Sequence, residues 1–412
     1  MKSFSALLSF TAVLLALSGV EGHQPIKASG KVASTWWASW HASDFPASKL
    51  SWSKYNRVVY SFAETTPDVN KLDLGDSGDQ LLKGLVSAAH QHNVQAAVAI
   101  GGWTGSRFFS SAVATPANRT AFTKTILTLA QTYQLDGIDF DWESPVNQGI
   151  GCNLVSPHDT ANFLALLREL RAHPLGRALT ITAATGINPF AGPDGDPLTD
   201  VRAFTDVLDY IEVMNYDIWG SWSDTVGPNA PLNDTCAPPA DQQGSAVSAL
   251  RAWSTAGMPA HQIVLGVAAY GHSFRVAKKD AIVNGSMVAY PPFNASAQPA
   301  GDKWDDPAGI DECGNDEAVG GLFDFWGLIQ AGFLTSEGNR APGIIFRYDD
   351  CTKTPYVYDA TSEIMIAFDN APSFREKGTF IRSAGLRGFS MWEAGGDSND
   401  ILLDAIQSES RF

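Results

Sequence analysis

Short apolar runs alternate along this chain with stretches whose apolar residues recur at helical spacing. Val32–Trp37, Arg57–Ala63, Gln95–Gly101 and Gly137–Asp141 read as strands, as do Leu179–Ala184, Tyr210–Met214, Ile263–Ala268 and Gly388–Trp392. They are brief and mostly apolar, the pattern of parallel strands covered on both faces. Between them, Asp79–Gln91 places Leu81, Leu82, Leu85 and Ala88 close to one helical face. Pro116–Tyr133 opens on a proline, which suits a first helical turn, and His158–Arg171 and Ser245–Ala256 continue the series. This alternation predicts an α/β protein built as a (β/α)8 barrel rather than an antiparallel sandwich.

One interval breaks the rhythm. From Ala268 to Gly388 the chain is far longer than a βα connection needs, and a bare loop of that size is rare in a compact domain. It contains extended runs at Gly343–Tyr348 and Thr354–Tyr358. A small α+β insertion over residues 273–368 is therefore expected, between barrel segments 23–272 and 369–412. At the N-terminus, Lys2 precedes the apolar run Ala6–Leu17, and Val20-Glu21-Gly22 offers a cleavage site. Residues 1–22 read as a signal peptide too short to span a bilayer, so the expectation is a secreted, extracellular protein. No hydrophobic tail closes the chain, which argues against a lipid anchor.

Four cysteines imply two disulfides with three possible pairings; shared segments favour Cys313–Cys351 and Cys152–Cys236. Asn118, Asn233, Asn284 and Asn294 stand in glycosylation sequons. No CxxC pair suggests zinc, and neither metal nor cofactor is expected. A formal net charge of −16 argues against nucleic acid and anionic membranes as partners. The 12 tryptophans matter more, because aromatic faces suit the C–H faces of a neutral sugar. A monomer is expected.

The candidate chemistry lies in Leu135-Asp136-Gly137-Ile138-Asp139-Phe140-Asp141-Trp142-Glu143. Asp139, Asp141 and Glu143 are spaced by two, so a strand turns all three to one side. Such a row repels itself and is costly to bury, and no Lys or Arg lies nearby in sequence. Glu143 falls just past the end of the fourth strand, where barrel enzymes do their work. Crowded negative charge keeps protons in the row, and a Glu held protonated is prepared as a general acid.

The segment Asp136 to Glu143 resembles the DxxDxDxE signature of glycoside hydrolase family 18, the chitinases. Tyr60-Ser61-Phe62-Ala63, Gly101-Gly102-Trp103, Met214-Asn215-Tyr216-Asp217, Tyr270-Gly271 and Met391-Trp392-Glu393 resemble the family's other strand ends, in order. The long segment after Tyr270, with Ile366-Ala367-Phe368-Asp369 near its end, resembles the chitinase insertion domain. The resemblance implies a retaining hydrolase of β-1,4 bonds in chitin or chito-oligosaccharides, in which the substrate's N-acetyl oxygen is the nucleophile. By the same resemblance Glu143 protonates the glycosidic oxygen, Asp141 orients the acetamido group and Asp139 exchanges a proton with Asp141. Tyr216 would bond the acetamido oxygen and Asp217 would seat the distorted sugar. Trp392 is the expected floor, Trp103 and Tyr270 line neighbouring subsites, and Met214, Gly102 and Trp222 complete the candidate contacts.

Trp219 is a further loop candidate, and the residues do not say which of Trp36, Trp37 and Trp40 faces the cleft. Two positions depart from the family pattern. Ala99 stands where a Ser normally supports the buried Asp, and His272 where many relatives carry Arg. The alternatives are a non-cleaving chitin-binding lectin, which typically lacks the Glu or its Asp partner, and an endo-β-N-acetylglucosaminidase, which usually lacks the insertion.

Overall fold

A computed structural model describes residues 25–26 and 30–411; the expected signal peptide lies outside them. Strands β1 Val32–Ala38, β2 Arg57–Thr65, β3 Gln95–Gly101, β4 Gly137–Asp141, β5 Thr180–Thr185, β6 Tyr210–Val213 and β7 Ile263–Ala268 come first. Then follow β8 Tyr270–Arg275, β9 Leu322–Asp324, β10 Ile345–Asp349, β11 Thr354–Asp359, β12 Ile364–Ala367 and β13 Gly388–Trp392. Among the described residues, β1 to β7 and β13 pair in parallel, and β1 pairs with both β13 and β2. The sheet thus closes into an eight-stranded barrel with helices outside, a (β/α)8 fold. Closure leaves no barrel edge to be capped.

The register decides which side chains meet inside. Asp139 of β4 lies opposite Ala99 of β3 and Thr182 of β5. Along β4, Ile138 and Phe140 turn outward into the main hydrophobic core, which leaves Asp139 and Asp141 facing in. The helix Gly78–Gln91 buries Leu82, Leu85, Val86 and Ala89 against the barrel. At the start of the helix Pro116–Tyr133, the Thr115 side chain accepts from the backbone N–H of Asn118. That bond satisfies a donor the first helical turn would otherwise leave free.

Beyond Ala269 the chain enters a second, five-stranded sheet in the order β9-β8-β12-β11-β10, antiparallel throughout. The expected boundaries, Ser273 and Phe368, fall inside β8 and one residue past β12. Its two faces follow the period of two. Val357 and Ile366 pack into the main core, while Tyr356, Tyr358, Met365 and Phe274 build a separate small core.

The disulfides differ from the favoured pairing. Cys152 bonds Cys313 and Cys236 bonds Cys351, with Cα atoms 5.6 and 5.7 Å apart. Each joins a barrel loop, after β4 or after β6, to the insertion. Segment membership misled because loops remote in sequence converge on the C-terminal face of the barrel, where the insertion also rests. Arg107, in the loop after β3, pairs with Glu312 at 3.1 Å beside the first disulfide. Cys152–Cys313 closes a sequence separation of 161 residues, so the double variant Cys152→Ser/Cys313→Ser should lose about 2–5 kcal/mol of stability. Denaturant unfolding against the native protein measures it; an unchanged midpoint would show that the crosslink contributes nothing.

Candidate active site

The acidic row is held from below and from both sides. Asp139 is fully buried. Its Oδ2 accepts from Trp36 Nε1 at 3.0 Å and its Oδ1 from the Thr182 hydroxyl at 2.7 Å. The Ser missing at position 99 is thus compensated on the opposite flank, where Thr182 of β5 supplies the hydroxyl. Arg57 Nη2 donates to that same hydroxyl at 3.0 Å, which places a buried guanidinium beneath the carboxylates. Asp141 is also buried, and its Oδ1 has no hydrogen-bond partner. Burial first, then the neighbouring Glu143, Asp139 and Glu212, push the Asp141 carboxyl well above the ordinary carboxylate range.

Glu143 sits half-buried one residue beyond Trp142, whose ring stacks on Phe109 at 4.9 Å and anchors the strand end. The backbone around Glu143 is pinned from two sides. Its N–H donates to Ser106 Oγ at 3.0 Å, and Asn153 Nδ2 donates to its carbonyl at 3.0 Å. Burial, followed by the charge of Asp217, raises the Glu143 carboxyl from 4.5 to about 7. At neutral pH a substantial fraction is therefore protonated, the form a general acid needs.

Around the row stands an aromatic wall. Trp392, at the end of β13, is half-buried and stacks with Phe62 at 5.7 Å. Trp36 and Trp40 approach it at 6.1 and 6.2 Å. Of the three early tryptophans, Trp36 holds Asp139, Trp37 is buried in the outer core and Trp40 is exposed beside Phe62. Gly102 has φ +84°, and a Cβ there would come within 2.7 Å of the Phe62 ring. At Gly101 a Cβ would strike the Asp141 carbonyl at 2.1 Å, so both positions require glycine.

On the far side, Asp217 Oδ1 accepts from the Tyr270 hydroxyl at 2.7 Å and meets His272 Nε2 at 2.8 Å. His272 therefore reaches the candidate residue despite replacing the family's Arg. Tyr216 is buried edge-on to Tyr270 at 6.1 Å. Trp222 is exposed and edge-on to His272, whereas Trp219 is buried against Tyr290. Exposed Trp103, half-buried Met214 and Glu143 line one cavity of about 530 Å³, together with Asn147, Asn188 and Phe190. Among the described residues no group of three or more His, Cys, Asp or Glu is placed to hold a metal ion, and no helix is long and apolar enough to cross a membrane.

Four contributors escaped the sequence reading: Trp36 as a donor, Thr182, Arg57 and Glu212. Glu212 carried a usable signal, since it is an acid between Ile211 and Val213 in a run already read as a strand. Arg57 begins the strand read at Arg57–Ala63, but nothing local ties it to Asp139.

The family model for Glycosyl hydrolases family 18 matches residues 33–397, which takes in every strand end just described. The chain belongs to this family. It is similar to a "chitinase-like effector" of Moniliophthora roreri, 51% identical over 404 residues that cover 97% of this chain and 98% of that protein. Among solved structures, a chitinase from Rhizomucor miehei superposes with a TM-score of 0.84 at 30% identity, covering 92% of this chain and 100% of the other. A mutant family 18 chitinase from Cycas revoluta, solved with (GlcNAc)4, shares the fold at 21% identity and TM-score 0.74, covering 92% and 99%.

Within this family 18 site the Glu143 carboxyl should titrate near pH 7, and Asp217→Asn should lower that value by removing a nearby negative charge. Carbon-13 NMR of labelled glutamate carboxyls reads it directly. An unmoved titration in Asp217→Asn would leave burial as the sole cause.

Proposed function

We propose that this chain is a secreted, monomeric chitinase that hydrolyses β-1,4 bonds between N-acetylglucosamine units with retention at the anomeric carbon. The observation that carries the reading is the buried, unpartnered oxygen of Asp141, placed between Asp139 and a Glu143 whose carboxyl holds a proton near neutrality. An acetamido N–H is a donor that this carboxyl oxygen can accept, which is how a buried carboxyl selects an N-acetylated sugar.

In the proposed reaction Glu143 gives its proton to the glycosidic oxygen as the bond to the anomeric carbon breaks. The carbonyl oxygen of the substrate's own acetamido group attacks that carbon and forms a cyclic oxazolinium ion. Asp141 takes up the acetamido N–H and balances the positive charge, passing a proton to Asp139 as its own charge develops. The Tyr216 hydroxyl orients the acetamido oxygen, and Asp217, held by Tyr270 and His272, seats the ring over Trp392. Water then adds to the anomeric carbon and gives a proton back to Glu143, restoring both the acetamido group and the acid. Family membership and the chitinase names of the structural neighbours support this assignment.

A second reading is a protein that binds chito-oligosaccharides without cutting them, and the name "chitinase-like effector" of the 51%-identical relative favours it. One experiment separates the two. Wild type should hydrolyse N-acetylated chito-oligosaccharides and leave cello-oligosaccharides intact, and Glu143→Gln should lower kcat by at least about 100-fold with little change in KM. Activity should fall as pH rises through about 7, because Glu143 loses the proton it must donate. Oligosaccharide binding with no product from the wild type would overturn the enzyme reading and establish the binding one.

A further inference from the structure

The barrel interior holds a carboxyl that the proposed reaction does not use. Ile211 and Val213 of β6 turn outward into the main core, as do Ile138 and Phe140 of β4 and Phe389 and Met391 of β13. The intervening Glu212, Asp139 and Ser390 therefore face inward. In an eight-stranded barrel the inward residues of alternate strands form one layer. Strands β4, β6 and β13 alternate in the barrel order, so Glu212 and Asp139 share such a layer.

Glu212 and Asp139 are both fully excluded from solvent. Their hydrogen bonding is unequal. Asp139 already accepts from Trp36 and Thr182, whereas neither Glu212 oxygen has a donor. The two carboxyls lie within hydrogen-bond reach of each other, and because carboxylates are acceptors only, a proton is needed to make that contact a hydrogen bond.

We infer that Glu212 is a positioning residue that stays protonated and donates its hydrogen to Asp139, holding Asp139 as the buried anion of the site. The charge balance agrees. Arg57, from β2, is the guanidinium that faces this pair; its Nη2 is engaged by Thr182 while its Nε and Nη1 have no hydrogen-bond partner. One cation balances one carboxylate, so of Asp139, Asp141 and Glu212 only one can be charged at rest without leaving net charge in the interior.

The other groups facing Glu212 supply no second buried cation. They are Asp141 above it on β4, Ser390 on β13, the buried Tyr210 hydroxyl two residues before it on β6, and the Tyr216 hydroxyl at the barrel mouth. Ala184 of β5 and Val264 of β7 are its strand neighbours. Arg387, half-buried at the base of the barrel, lies 5.0 Å from the ring of Tyr210, the inward residue two before Glu212. Burial and then the charge of Asp139 raise the Glu212 carboxyl well above its ordinary range, with Arg57 opposing.

The consequence for the reaction rests on the chitinase reading. The hydrogen donated by Glu212 stabilises the single negative charge that the Asp139–Asp141 pair carries before the proton moves between them, so the acid limb of the reaction depends on Glu212. Removing the donor in Glu212→Leu should move the acid limb of the kcat/KM profile to higher pH by about one unit. Glu212→Gln keeps a neutral donor and should return the limb to its wild-type position. If Glu212 were instead an anion paired with Arg57, Gln would displace the limb as Leu does, and the inference would fail.

A second measurement is independent of turnover. Infrared difference spectra at pH 7 of wild type and Glu212→Gln should show the loss of one protonated-carboxyl band in the variant. Retention of that band would overturn the inference even in an active enzyme. Its loss would sustain the protonation state even if the wild type cut no substrate, so the two readings stand or fall separately.

Discussion

Everything about this site follows from placing several carboxyl groups in the buried interior of a closed barrel. A bare charge there is prohibitively expensive, so each acid must accept hydrogen bonds, meet a cation or keep its proton. The chain uses all three. Asp139 accepts two bonds and lies near Arg57, Asp141 and Glu212 are held above their ordinary range by burial, and Glu143 at the rim is raised only to about 7. At the rim, burial and the charge of Asp217 keep a proton on Glu143 up to about pH 7.

The strand ends turn that electrostatic column into a cleft. Apolar residues on the outer face of β4, with Trp142 stacked on Phe109, keep the carboxylate row from rotating. Glycine at 101 and 102 lets β3 approach Asp141 and lets Phe62 support Trp392. The insertion adds a second boundary. Tyr270 and His272, which hold Asp217, belong to its strand β8, and its disulfides fasten it to the loops after β4 and β6. Catalytic candidates and insertion are thus parts of one mechanical unit.

Much of this was legible in the residues. The strands at Gln95–Gly101, Gly137–Asp141, Ile263–Ala268 and Gly388–Trp392 coincide with those read from apolar runs. A continuous apolar run flanked by turns has few other stable fates in a chain of alternating elements. The row Asp139, Asp141, Glu143 was equally visible, since a period of two on one strand is a local property. The same logic turns Glu212 to the inner face of its strand, although a single acid makes no row. Trp219 looked like Trp222 in sequence, yet one ring is buried and the other exposed.

By itself, the sequence determined the elements, the faces they present and the acids that share a face, because periodicity is written in neighbouring residues. The tertiary structure alone decided which partner each acid would meet. Arg57, Thr182 and Trp36 reach Asp139 from strands that are far away in sequence, and Cys152 finds Cys313 across 161 residues. Barrel closure brings alternate strands into one layer, and no local pattern along the chain records that geometry.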